Sequence, residues 1–97
     1  MTDDRIVEIG IRADGGLFVR PENSNFANIY RAGMEVSWDG ENGRLFAPRP
    51  RDWTYARWFQ QIVAAAAGEY HIALHLTETT TWTGVPDSIR DEINALA

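Results

Sequence analysis

The segment from Arg51 to Gly68, RDWTYARWFQQIVAAAAG, limits the fold most, because its start, its end and its buried face can all be predicted. Asp52 is a typical N-cap residue, since its side-chain oxygen can accept from the free N–H groups of a first helical turn. Gly68 suits the left-handed conformation that ends many helices. The sequence therefore predicts a helix over about residues 52–67.

This helix has an apolar and a polar side. At about 100° per residue, the apolar side consists of Tyr55, Trp58, Phe59, Ile62, Val63 and Ala66. The polar side consists of Thr54, Arg57, Gln60, Gln61 and Ala64. An amphipathic helix is stable only when a second layer covers its apolar side, so the rest of the chain must supply that layer.

Short segments of alternating polarity predict a sheet as the second layer. The predicted strands are residues 5–12, 17–20, 34–39, 44–47 and 69–77. In the first strand, Val7, Ile9 and Ile11 share the buried side. Residues 26–33 fit either a strand or a short helix, and we favour a strand. Glu78 would fall on the buried side of the last strand, so we expect a bulge or a stop there.

A short C-terminal helix over residues 86–96 is predicted from the apolar spacing of Ile89, Ile93 and Leu96, with Pro86 in its first turn. The order of elements is then ββ(β)ββαβα. We predict an α+β two-layer sandwich in a single domain, residues 1–97. An antiparallel sheet of four to five strands packs on the long helix, and the other face of the sheet meets solvent.

The composition narrows the range of functions. The chain has 97 residues, no cysteine and a net charge of −5 at pH 7. Without cysteine it forms no disulfide and no thiolate metal site, which suits a reducing cytoplasm. A negative surface repels phosphate backbones, and no apolar run is long enough to cross a bilayer, so we expect neither nucleic acid nor a membrane as a partner. No motif indicates a cofactor or a catalytic nucleophile, which disfavours an enzyme without excluding one.

His71 and His75 have the H-x-x-x-H spacing that binds zinc when both histidines lie on one face of a helix. The sequence predicts a strand here, however, and four residues of strand span about 13 Å, too far for one metal ion. We therefore predict two solvent-facing histidines and no metal site.

The start of the long helix carries the candidate binding residues. Four arginines surround it: Arg44, Arg49, Arg51 and Arg57. They form either an anion site, which free helical N–H groups favour, or a solvated face with local ion pairs. Trp53 would point away from the buried side, so it packs on the prolines at 48 and 50, lines a cleft or contacts another chain. The predicted binding residues are Arg51, Trp53, Tyr55 and Trp82.

Three stretches of the chain, IYRAGMEVSWD, LFAPRPRDWTYARWFQQIVAAA and LTETTTWTGVPDSIRDEI, resemble a family of small bacterial proteins found among integron gene cassettes and in bacterial chromosomes. The resemblance covers roughly residues 17–96. It implies an α+β fold and a gene that moves between bacteria. The family has no assigned activity, so the resemblance transfers no functional residue, although cassette proteins of this kind often self-associate and sometimes carry a pocket.

Two functions remain open on the sequence. The first is a non-catalytic interaction module, carried as a mobile bacterial accessory protein, that forms a homodimer or other homo-oligomer or binds a protein partner through exposed aromatic residues. The alternative is a binding protein or small enzyme for an anionic or aromatic small molecule, with its pocket near the start of the long helix.

Overall fold

Six short strands and two helices make up the described part of the chain, residues 1–29 and 35–96 of a computed structural model. The elements are β1 (Thr2–Ile11), β2 (Leu17–Pro21), β3 (Ser37–Asp39), β4 (Arg44–Phe46), α1 (Tyr55–Tyr70), β5 (Ile72–His75), β6 (Thr81–Thr83) and α2 (Asp87–Leu96). The predicted α+β class, with one long and one short C-terminal helix, is confirmed.

The strands form one sheet in the order β3-β4-β2-β1-β5, and β6 also pairs with β1. The two predicted hairpins, β1–β2 and β3–β4, are antiparallel. By contrast, β5 and β6 run parallel to β1. The sheet is therefore mixed and six-stranded, which corrects the expected antiparallel sheet of four to five strands. For β5 the cause is α1, which returns the chain to the end of the sheet where β1 starts, and β6 continues in the same direction along β1.

Strand β1 pairs with two parallel strands in succession along one edge. Its first part, Thr2–Arg5, pairs with β5, and Glu8–Gly10 pairs with β6. Between these parts the register with β2 shifts, as at a β-bulge. The bulge turns Ile6, rather than the expected Val7, to the buried side together with Ile9. The predicted stop near Glu78 is confirmed, because β5 ends at His75 and β6 begins at Thr81.

Helix α1 begins and ends about three residues later than predicted. Thr54 is the N-cap, with its Oγ1 accepting a 3.1 Å hydrogen bond from Arg57 N, so the prediction of Asp52 was wrong. The helix continues through Gly68 to Tyr70, and His71 caps it in the left-handed conformation with φ 56°. The hydroxyl of Tyr70 accepts a 2.9 Å hydrogen bond from the backbone N–H of Asn28, which anchors this last turn.

The segment after β2 is a turn where the structure describes it. Ile29 N donates a 3.0 Å hydrogen bond to the carbonyl of Phe26, and residues 26–29 form no strand. The predicted strand over 26–33 is wrong for these four residues, and its remainder lies outside the described residues, as does Met34. Phe26 is fully buried and its ring meets the edges of Trp38 and Tyr70 at centroid distances of 5.7 and 5.0 Å.

The hydrophobic core lies between the sheet and the two helices. Its sheet side includes Ile9, Val19 and Leu45, which are paired across β1, β2 and β4. Its helix side is formed by Ala56, Trp58, Phe59, Ile62, Ala65 and Ala66 of α1, and by Ile93 of α2. This agrees with the predicted apolar side of α1, except that Tyr55 and Val63 are only half-buried.

The opposite face of the sheet is covered by its own side chains. The guanidinium group of Arg44 lies 4.3 Å from the ring centroid of Phe18, which is only 4% exposed. Arg12 covers Phe46 in the same way at 4.4 Å. Arginine stems and cation–π contacts thus shield the aromatic rings on the face that was expected to meet solvent.

Asp4 is a buried carboxylate that holds the turn after β2. Its oxygens accept hydrogen bonds from Ser24 N at 2.9 Å, Ser24 Oγ at 2.5 Å and Asn23 N at 3.2 Å. Burial by itself raises the pKa of this carboxyl. The hydrogen bonds from Ser24, from Asn23 and from the Arg5 backbone outweigh that effect, so the pKa of Asp4 lies below its ordinary value.

Candidate functional site

An apolar groove of about 610 Å³ lies between α1, β5 and the end of α2. Its lining residues are Phe59, Gln60, Val63, Ala64, Ala67, Leu74, His75, Leu76 and Leu96. They include no Asp, Glu or Arg. Leu96 is 46% exposed, and Ala64 is exposed on the side of α1 that was predicted to be polar. The groove is therefore an apolar surface open to solvent.

Beside this groove lies the outer edge of β5, the terminal strand of the sheet, and no other strand of residues 1–29 and 35–96 pairs with this free edge. The backbone N–H of Thr2 donates a 2.9 Å hydrogen bond to the carbonyl of His71. In a parallel ladder with this register, the N–H and C=O groups of Ile72 and Leu74 point away from β1. The apolar groove and backbone groups without a partner in the described residues therefore lie side by side here, where other proteins commonly add a strand.

A smaller cavity of about 180 Å³ lies in front of α1. It is lined by Glu35, Pro48, Arg49, Arg51, Asp52, Trp53 and Trp58. The prolines at 48 and 50 restrict the backbone of this segment and keep it extended. The cavity is in the region where the sequence predicted a pocket, and it contains two of the four predicted binding residues, Arg51 and Trp53.

Trp53 precedes α1 instead of lying on its polar side, because the helix begins at Tyr55. Its ring packs on Trp58 with a centroid distance of 4.8 Å and a tilt of 48°. The guanidinium group of Arg57 lies 4.5 Å from its ring centroid. Trp53 is thus half-buried, held by neighbours on α1, and part of the cavity wall.

The other two predicted binding residues lie elsewhere. Tyr55 donates a 2.7 Å hydrogen bond from its hydroxyl to the carbonyl of Gly15, which fastens the start of α1 to the β1–β2 turn. Trp82 pairs with Ile9 on the helix side of the sheet, under the guanidinium group of Arg90 at 5.2 Å. The structure therefore does not bring Arg51, Trp53, Tyr55 and Trp82 together in one lining.

Trp58 contributes an unusual feature to the cavity. It is 7% exposed, and its indole N–H is buried without a hydrogen-bond partner in the described part of the chain. A buried donor without a partner costs about 1–3 kcal/mol. The arginines near the start of α1 differ in whether they form an ion pair. Arg44 contacts Asp39 at 3.4 Å on the outer face of the sheet. Arg49 and Arg51 have no carboxylate within 4.0 Å among the described residues.

The two histidines are not arranged for metal binding on one helix face. His71 is the C-cap of α1, and His75 is the last residue of β5, where its Nε2 lies 2.8 Å from Asp3 Oδ1. Residues 72–75 are extended, as the spacing argument required. Within residues 1–29 and 35–96, no group of three or more His, Asp or Glu residues is placed to hold a metal ion.

Neither α1 nor α2 has the length and apolar character needed to cross a bilayer.

Residues 4–80 match the model of the family described as integron cassette protein Hfx_Cass5. The chain belongs to the Hfx_Cass5 family. It is also similar to a solved structure of integron cassette protein Hfx_Cass5, from the mobile metagenome of the North West Arm sewage outfall. The two chains are 41% identical over 98% of this chain and 95% of that one, with a TM-score of 0.51. No curated protein matches the chain.

The Hfx_Cass5 match confirms the resemblance to integron cassette proteins and includes α1, β5 and the small cavity. The groove was not predicted as a site, because Phe59, Val63 and Leu76 were assigned to the core. One signal was present in the sequence: Ala64, whose side chain has no polar atom, lies on the otherwise polar side of the helix. An alanine there lets an apolar surface continue from the core to solvent.

Proposed function

We propose that this Hfx_Cass5 family member is a non-catalytic interaction module that self-associates through the free edge of β5 and the adjacent groove. It would act as a mobile bacterial accessory protein in the cytoplasm, since a chain without cysteine needs no oxidising compartment. The observation that carries the proposal is the coincidence of an unpaired strand edge with a 610 Å³ apolar groove. Either feature alone is common at a protein surface, but together they fit a strand-adding partner.

A second copy of the chain supplies a strand that fits this edge. If a second β5 lies antiparallel and centred on Ala73, Ile72 of one chain exchanges both backbone hydrogen bonds with Leu74 of the other. The arrangement is two-fold symmetric, as in most homodimers, and it would join the two sheets into one. Leu76 and Leu96 of each chain would then be next to the partner, where their apolar surface can be buried.

The charge distribution permits a second copy at this surface. Two chains that each carry a net charge of −5 repel one another over most of their surfaces. Among the described residues, the groove lining contains no acidic side chain, and His75 has its only titratable side chain. Two copies can therefore meet here without placing carboxylates against each other.

The geometry gives little support to catalysis. Ser24, one of the few candidate nucleophiles, donates its hydroxyl to Asp4. A carboxylate whose pKa is held below its ordinary value is a weak general base, so this pair is poorly suited to activating a serine. Its contacts instead hold the turn after β2.

Sedimentation equilibrium of the wild-type chain tests the proposal, with a homodimer as the expected result. Ala64→Glu would place an unpaired carboxylate in the groove, at a cost of about 3 kcal/mol or roughly 100-fold in the dimer dissociation constant. Gln61→Glu is the matched control, because it adds the same charge to α1 outside the groove. Trp53→Ala should leave the dimer unchanged. A monomer at millimolar concentration, or equal effects of Ala64→Glu and Gln61→Glu, would exclude this interface.

A further inference from the structure

The cavity in front of α1 is a place where a ligand would supply contacts that the chain does not make with itself. It is separate from the groove and shares no lining residue with it. Its volume of about 180 Å³ equals roughly six water molecules at about 30 Å³ each. That is below the range of drug-sized pockets and leaves room for a single ring with one small substituent.

Two aromatic residues form an apolar part of the wall, and both are held by neighbours. Trp53 and Trp58 are in ring contact, and Arg57 lies over the Trp53 ring. Aromatic side chains present flat apolar surface at little entropic cost, so this pair suits a planar ligand. Because both rings are fixed within the chain, a ligand would not need to order them.

Three positively polarised groups near these walls have no acceptor among the described residues. The indole N–H of Trp58 is buried and has no partner within the described residues. Arg49 and Arg51 form no ion pair with a described carboxylate. The stem of Arg49 is close to the β1–β2 turn, since a Cβ added at Gly15 would lie 3.0 Å from Arg49 Cγ and Cδ. Guanidinium groups bind carboxylates with two parallel hydrogen bonds, and an indole N–H can donate only to an acceptor.

Glu35 adds an independent indication. It borders the cavity and has φ 66°, the left-handed region that a non-glycine residue rarely adopts. His71, the other such residue in the described chain, is explained by its role as a helix cap. Backbone conformations of this kind are concentrated at ligand sites.

We propose that the cavity binds a small planar carboxylate, with its carboxylate oxygens on Arg49 and Arg51 and its ring against Trp53. The two acidic residues in the lining, Glu35 and Asp52, make the site selective for a single negative charge, because they repel a dianion. The ligand class is thus an aromatic or heteroaromatic monocarboxylate.

Benzoate is the probe, with benzamide as its uncharged counterpart. The chain has four tryptophans, and their indole N–H groups give separate cross-peaks in a ¹H–¹⁵N correlation spectrum. Benzoate should move the peaks of Trp53 and Trp58, assigned by Trp→Phe variants, and leave those of Trp38 and Trp82 in place. The expected dissociation constant is about 1 mM or tighter, and benzamide should bind at least about tenfold more weakly.

Arg51→Gln and Arg49→Gln should each weaken benzoate binding by about tenfold, because each removes one guanidinium–carboxylate contact. Arg90→Gln is the matched control, since Arg90 also lies over an indole, that of Trp82. Ala64→Glu should leave benzoate binding unchanged, which separates this test from that of the dimer. Three results would overturn the proposal: no shift at about 10 mM benzoate, equal binding of benzamide, or an Arg90→Gln effect as large as that of Arg51→Gln.

Discussion

Thr80 donates a 2.8 Å hydrogen bond from its Oγ1 to the backbone carbonyl of Ile6. That carbonyl is at the bulge of β1, between the residues that pair with β5 and those that pair with β6. Thr80 Oγ1 also accepts a 3.0 Å hydrogen bond from the backbone N–H of Thr77. One buried hydroxyl therefore holds the chain where it leaves one strand and enters the next.

Replacing Thr80 by valine should lower the free energy of unfolding by about 1–3 kcal/mol, because the buried carbonyl of Ile6 loses its partner. Urea denaturation measures the change. Thr80→Ser keeps the hydroxyl and removes one methyl group, so it should cost about 1 kcal/mol or less. Equal losses for the two variants would show that the methyl group, and not the hydrogen bond, stabilises this crossover.

Asp4 should make the stability of the protein depend on pH in the acidic range. Its pKa is lower in the folded chain than in the unfolded one, so it stabilises the fold fully above its unfolded pKa, and this contribution is lost as the pH falls through the folded value. In urea titrations from about pH 7 to about pH 2, Asp4→Asn should therefore destabilise most at neutral pH and progressively less below about pH 4. Asp91→Asn on the exposed surface of α2 controls for the loss of one charge. A constant difference between wild type and Asp4→Asn across the range would contradict this assignment.

Gly68→Ala should raise the free energy of unfolding by about 0.5–1 kcal/mol, because Gly68 is exposed within α1 and an added Cβ would meet nothing within 4 Å. Gly43→Ala is the contrasting variant. Its added Cβ also has open space, but φ is 63°, so the substitution should cost about 1–2 kcal/mol. Thermal unfolding of both proteins gives the comparison, and a loss of stability in Gly68→Ala would contradict the helical assignment of this turn.

Gly10 and Phe18 face each other across β1 and β2, and their pairing leaves no space for a side chain at position 10. An added Cβ would overlap Phe18 Cε2 and Cζ. Gly10→Ala should therefore destabilise by about 1–3 kcal/mol through overpacking. In a Phe18→Leu background the penalty should fall, and a double-mutant cycle by urea denaturation measures this coupling. Additive effects would mean that the ring moves aside at no cost.

Local patterns predicted the fold class but not the ends of α1. Asp52 and Thr54 are both good N-cap residues, and what favours Thr54 is the packing of Trp53 on Trp58, which places Trp53 outside the helix. At the other end, Gly68 could have ended the helix. Tyr70 continues it because its hydroxyl bonds to Asn28, a residue 42 positions earlier in the chain. Contacts of that separation leave no local signal.

A local pattern also could not predict that β5 and β6 run parallel to β1, because alternation along a strand is the same in parallel and antiparallel sheets.

The candidate site was predicted only in part, because its geometry also depends on contacts between distant parts of the chain. Arg51 and Trp53 lie in one cavity because they are neighbours in sequence, whereas Tyr55 contacts the carbonyl of Gly15 and Trp82 lies under Arg90. The groove requires the end of α2 to meet β5, which depends on tertiary packing.

Both ends of the described chain are close to the proposed interface: Thr2 pairs with Ile72 of β5, and Leu96 belongs to the groove lining. A purification tag fused at either end would emerge next to the surface that is proposed to join two copies. Such a fusion could cover the strand edge or supply a strand of its own. Measurements of assembly should therefore use protein from which the tag has been removed.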